Sequence, residues 1–181
     1  MKLFKSPNIV LLLLALVFAA PGLAAYLFYK HPQWLGTKTT NKGTLINPPV
    51  LLSTMNSPAK WRLALWLPKD CKSVCRQQLD KLARIRLALG RRLYEVEQWL
   101  VMDYPTSPLS EGMMRELRKQ DIHVLRLAKS YNKPELLDNH AHVFIVSPDS
   151  YLILTYPLTA KSGDIFHDLK RLLNTTDKAS G

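Results

Sequence analysis

Apolar positions fall into one unbroken run near the start of the chain and then into short periodic stretches. Residues 8–29 carry no charge and are almost wholly apolar, long enough to cross about 30 Å of hydrocarbon as a single helix. Trp61-Arg-Leu-Ala-Leu-Trp-Leu67 is a compact apolar and aromatic run halted by Pro68, the pattern of a buried strand. Cys75, Leu79, Leu82, Ile85, Leu89 and Leu93 then recur at three- and four-residue steps. That spacing predicts an amphipathic helix with Cys75 at the top of the stripe facing the core and Gly90 near its end as a cap. Residues 95–102 read as a second strand, residues 103–108 as the loop leaving it, residues 109–120 as a helix and residues 122–127 as a short strand. Residues 143–147 and 151–156 form a hairpin around Pro148-Asp149-Ser150, and residues 164–173 make a closing helix.

A βαβ unit followed by an antiparallel hairpin and helix implies an α/β fold, a three-layer sandwich with a mixed central sheet. That is the thioredoxin-like arrangement. The organisation expected is a cytoplasmic N-terminus over residues 1–7, a transmembrane anchor over 8–29 and a linker with an N-terminal extension over 30–58. A thioredoxin-like domain over 59–176 and a flexible tail over 177–181 complete it. The linker is rich in Thr, Asn, Pro, Gly and Ser and becomes structured near Gly43-Thr-Leu-Ile-Asn-Pro-Pro49. A cleavable signal peptide ending at Leu23-Ala24-Ala25 is the alternative to the anchor; the apolar stretch runs past it through Tyr26, Leu27 and Phe28, beyond the usual signal core. Either way the rest of the chain is exported.

Charge changes the picture at the surface. Of the formal +11, Lys2, Lys5 and Lys30 supply three, and no acidic residue precedes residue 31, so the remainder carries +8. The excess gathers around Lys72, Arg76, Lys81, Arg84, Arg86, Arg91 and Arg92, and again from Arg115 to Lys129. In an anchored protein this points to anionic lipid or an acidic protein face. The cations alternate with core positions along helices and no nucleic-acid-binding motif accompanies them, so nucleic acid is not expected as a partner. No Gly-rich phosphate loop, HExxH helix or nucleophile elbow is present.

Candidate chemistry rests on Cys71 and Cys75, the only two cysteines, placed where the first domain strand hands over to the helix. A bridge between residues this close removes little entropy from the unfolded chain, so their value is chemical. Two poised thiolates suit disulfide exchange or capture of a soft metal such as Cu(I); a zinc site asks for four ligands, and no second Cys pair supplies the rest.

Asp70-Cys71-x-x-x-Cys75-x-x-x-Leu79, the N-terminal anchor and the later Asp138-Asn-His140-Ala-His142-Val-Phe-Ile-Val-Ser-Pro148-Asp149 resemble the Sco (SenC) family of membrane-anchored copper chaperones. Residues 41–49 and 81–90 look similar to small Sco-like proteins associated with cytochrome oxidase assembly in Gram-negative bacteria. The resemblance implies copper held by Cys71, Cys75 and a distal His, delivered to a cytochrome c oxidase subunit or another assembly factor from the periplasmic side of the bacterial inner membrane. The chain departs from the family pattern at Lys72 and Arg76, where prolines are usual, and at Asn139, where the ligand His would fall. His140 lies one residue late and is the expected third ligand; His142 opens the following strand and is the weaker candidate. Two rivals stay open: a thiol:disulfide oxidoreductase with Cys71 attacking and Cys75 resolving, and a non-catalytic binding module. The CxxxC spacing, against the CxxC and opposing cis-proline usual in oxidoreductases of this fold, favours metal binding.

Overall fold

The structure, a computed structural model, describes residues 7–31, 40–52 and 60–179. The chain divides into two units, residues 1–40 and 41–181. In the first, α1 (Pro7–Lys30) is a continuous helix even across Pro21, and its 23 residues from Asn8 to Lys30 are apolar and long enough to cross a membrane. Its side chains from Leu11 to Tyr29 are largely apolar and exposed.

The second unit is a six-stranded mixed sheet with the order β1-β6-β5-β2-β3-β4. Its strands are β1 (Thr44–Leu51), β2 (Trp61–Leu67), β3 (Val96–Met102), β4 (Ile122–Arg126), β5 (His142–Val146) and β6 (Tyr151–Pro157). Strands β2, β3 and β4 are parallel neighbours, while β5, β6 and β1 add on antiparallel. The two crossovers are α2 (Ser73–Leu87) and α3 (Glu111–Lys119), and α4 (Ser162–Ala179) closes the chain. Because β2, β3 and β4 step across the sheet in one direction, right-handed connections put α2 and α3 on the same face. Strand β2 is buried along almost its whole length, which is why it reads as a continuous apolar run rather than an alternating one.

One core lies under those helices: Leu63, Leu65, Leu100, Val143 and Ile145 of the sheet meet Leu79, Leu82 and Ile85 of α2, Met113 and Leu117 of α3, and Ile165, Leu169 and Leu173 of α4. The other face gathers Trp66, Trp99, Phe144 and Val146, and it is covered by Leu127, Leu137 and the partly buried Tyr131 and Leu136. The third layer is therefore, among the described residues, irregular chain between β4 and β5 rather than helix.

Two elements differ from the sequence pattern. The inward stripe of α2 stops at Ile85; the helix ends at Leu87, and Gly90 takes φ +61°, opening a 3-10 turn over Gly90–Glu95 that carries Leu93. Within the stretch read as linker and extension, β1 pairs with β6 at the sheet edge, and its register slips between Leu45 and Val50, where Asn47-Pro48-Pro49 sit in a bulge that needs no ladder N–H. Entry to β1 is fixed by Asp168, whose Oδ2 accepts the N–H groups of Lys42 and Gly43 at 2.7 and 2.8 Å and the Tyr156 hydroxyl at 2.8 Å.

Candidate functional site

Cys71 and Cys75 lie at the C-terminal end of β2, the end at which open α/β sheets place their sites. They are joined by a disulfide with Cα atoms 5.1 Å apart. Cys71 precedes α2 and is half-buried, while Cys75 is in its first turn, 2% exposed and part of the core beneath α2. Lys72 is the N-cap but makes no side-chain capping bond, and the first turn holds no acidic residue. The positive end of the helix dipole lies beside Cys71, with the Asp70 carboxylate next to it in sequence.

The loop carrying the cysteines is tied to its neighbours. Asp70 Oδ1 accepts the Ser107 N–H at 2.7 Å, and the Asp103 N–H donates to Leu67 O, so the loops leaving β2 and β3 support each other. Beside the pair lies a cleft of about 260 Å³ walled by Leu65, Leu67, Val74, Ala141 and Leu158. Cys75, Gln78, Asn139 and His140 line the same cleft. Lys81 Nζ donates to Leu158 O at 3.1 Å and so pins the far wall to α2.

His140 stands at the rim with its side chain 81% exposed. Its N–H donates to Asp138 Oδ1 at 2.8 Å, and its Nδ1 lies 2.9 Å from Asp138 Oδ2. The hydrogen bond from the imidazole, with the backbone one, holds the Asp138 carboxyl below the usual carboxylate range. An ionised carboxylate only accepts, so Nδ1 carries the ring proton and Nε2 is the nitrogen of the neutral ring with a lone pair to give. Asp138 is held in turn from β2: Trp66 Nε1 donates to its carbonyl at 3.0 Å.

The structure thus brings Cys75 and His140 to one cleft with Cys71 at the head of the same helix. It does not bring His142 there. His142 pairs with Trp66 in the β2–β5 ladder and shares the sheet face of Phe144, opposite the face under which Cys75 is buried; its Nε2 is 3.6 Å from Asp138 Oδ1. Among the described residues no group of three His, Cys, Asp or Glu side chains stands close enough to hold a metal ion with the sulfurs bonded to each other. Three residues of the site escaped the sequence reading. Trp66 lay in an apolar strand, Asp138 entered only within the resembling segment and was given no role in the site, and Gln78 was not singled out; the i,i+3 spacing of Gln78 from Cys75 was the one signal that could have found it.

Sheet order, helix placement and a Cys pair at the end of the strand before α2 define a thioredoxin-fold protein with a disulfide-bonded Cys pair. More narrowly, residues 61–176 match the family described as transmembrane-like, thioredoxin-like, C-terminal domain, and the chain belongs to it. Among solved structures it is similar to copper-bound ScoI of Arabidopsis thaliana, at 11% identity and a TM-score of 0.50, over 65% of this chain and 86% of that one. A putative thioredoxin of Neisseria meningitidis aligns at 13% identity and a TM-score of 0.46, over 67% and 79% of the two chains. A domain of a possible thiol-disulfide isomerase from Cytophaga hutchinsonii aligns at 11% and 0.42, over 68% and 82%. At 11% identity the likeness to ScoI is one of fold. No curated protein matches the chain in sequence.

Proposed function

We propose that this protein is a Sco-like Cu(I) carrier, or a thiol partner that keeps a copper site reduced, in the assembly of a cytochrome c oxidase. It would be held in the bacterial inner membrane by α1 with its domain in the periplasm. The observation that carries the reading is the single cleft shared by Cys75 and His140, with Asp138 fixing the imidazole so that Nε2 is the donor nitrogen. Two soft sulfurs and one imidazole are a donor set suited to Cu(I), and a carboxylate behind a metal-binding His orients the ring and raises its basicity. Copper here is cargo, and the disulfide must first be reduced to receive it. Copper is also the metal recorded in the ScoI structure that shares this fold. The resemblance of the Cys71 and His140 segments to Sco proteins supplies the oxidase and its assembly factors as recipients.

The test is an anaerobic Cu(I) titration of the reduced, detergent-solubilised full chain. One Cu(I) per chain is expected, abolished by Cys71→Ser or Cys75→Ser; a reduced chain that takes up no Cu(I) contradicts the reading.

The closed disulfide favours a second reading, a thiol:disulfide oxidoreductase. In it the half-buried Cys71 thiolate attacks a partner's disulfide, one partner sulfur leaves as a thiolate, and Cys75 then displaces the partner from Cys71 to close the bridge. Cys75→Ser would accumulate mixed disulfides through Cys71 in cells, and Cys71→Ser would not. Absence of such adducts removes this reading.

A further inference from the structure

A polar atom inside the site has no partner while the bridge is closed. Gln78 Oε1 is buried away from solvent and accepts no hydrogen bond among the described residues. Gln78 as a residue lines the same cleft as Cys75 and stands three residues after it, on the same side of α2. Buried acceptors are satisfied in the great majority of cases, so the orphan calls for a donor that is absent from this state. Solvent does not reach the atom, which turns the search inward.

Reduction supplies such a donor. Two electrons and two protons from a dithiol convert the S–S bond into two thiols, and the reductant closes into its own disulfide. The reduced Cys75 then carries an S–H donor in an almost fully buried, apolar setting, three residues from the Gln78 amide on one side of α2. We propose that Gln78 is a positioning residue that sets the redox poise of the pair, with Oε1 accepting a hydrogen bond from the Cys75 thiol in the reduced form and standing orphaned in the disulfide. The bond favours the dithiol twice over, by stabilising the reduced state and by leaving an unsatisfied acceptor in the oxidised one. Cu(I) loads from the opened pair with loss of the thiol protons, so the amide would set how much of the protein stands open rather than how tightly it holds the metal. The inference rests on the reading above that the pair opens and closes.

The measurement is the reduction potential of the full chain, equilibrated with reduced and oxidised dithiothreitol and read by thiol alkylation. Gln78→Met keeps the length and removes the strong acceptor; it should shift the equilibrium towards the disulfide about tenfold, which for two electrons is a potential about 30 mV more negative. Gln78→Glu, which keeps an Oε acceptor, should restore the potential towards the wild-type value, and Gln77→Met on the exposed neighbour should leave it unchanged. In the reduced wild type the infrared S–H stretch of Cys75 should lie at lower frequency than in Gln78→Met, a signature that a packing role would not produce. An unchanged potential in Gln78→Met, or an equal shift in Gln77→Met, overturns the proposal while leaving the copper reading intact. A wild-type disulfide that dithiothreitol does not reduce at all sinks the redox reading and this inference with it.

Discussion

At the scale of single residues, the cysteines could be read from the sequence because their type and spacing are chemistry in themselves, whereas the groups that position them could not. Trp66 belongs to an apolar strand, and nothing in Trp61-Arg-Leu-Ala-Leu-Trp-Leu67 says that its indole N–H holds the Asp138 carbonyl 72 residues away. Trp66→Phe keeps an aromatic ring but removes that bond and leaves a cavity where the fully buried indole was. It should cost about 2–4 kcal/mol of stability in urea denaturation, more than the hydrogen bond alone, and it should weaken Cu(I) affinity through the loosened 138–140 loop, a change that competition with a chromophoric chelator would read. Gly43 was equally opaque. A Cβ there would meet the Tyr156 ring at 2.4–2.5 Å, and the ring is buried and held by Asp168, so it has nowhere to give. Gly43→Ala should therefore destabilise the domain by about 1–3 kcal/mol, measured by chemical denaturation, where Gly112→Ala on open surface should not.

At the scale of elements, periodicity carried most of the fold. The α2 stripe was legible because Leu79, Leu82 and Ile85 are all buried at helical spacing, and β2 because an unbroken apolar run suits a strand covered on both faces. Pattern failed at the edges. Leu89 and Leu93 continue the arithmetic of the stripe, yet Arg86 Nε reaches back to the carbonyls of Leu93 and Val96 and the chain turns at Gly90, so the period outlives the helix. Structure was expected near residues 43–49 but not its form, because the prolines that mask the strand β1 occupy a bulge on an edge. Within α2 the two kinds of leucine separate cleanly: Leu82→Ala, at a position with no exposure, should cost about 2–5 kcal/mol, and Leu87→Ala, at 66% exposure, should stay within about 0.5 kcal/mol. Thermal denaturation of the two variants side by side checks the contrast.

At the scale of the whole molecule, the single direction of the β2–β3–β4 crossovers places the helices on one face and leaves the other to the chain between β4 and β5, which also carries Asp138 and His140 to the cleft. Apolar pattern could not announce that layer, because an irregular connection has no period. The entry to β1 is fastened to this body by a carboxylate, and the fastening has a pH signature. Burial raises the Asp168 carboxyl, but hydrogen bonds from His167, the Gly43 N–H, Tyr156 and the Lys42 N–H outweigh it and leave it below its ordinary value. A folded pKa lowered in this way contributes stability that is fully present above the unfolded value of about 3.9 and is lost as pH falls through the folded one. Melting temperatures of the wild type and Asp168→Asn should therefore differ at pH 7 and converge in strong acid; a constant gap would contradict that role. The central claim, that the Cys71–Cys75 dithiol and His140 together receive copper, is tested most directly by X-ray absorption at the copper edge of the reduced, Cu(I)-loaded full chain. The account predicts two sulfur ligands and one imidazole nitrogen, with the nitrogen lost in His140→Ala and kept in His142→Ala. Copper bound by sulfur alone, or a nitrogen that survives His140→Ala, would contradict it.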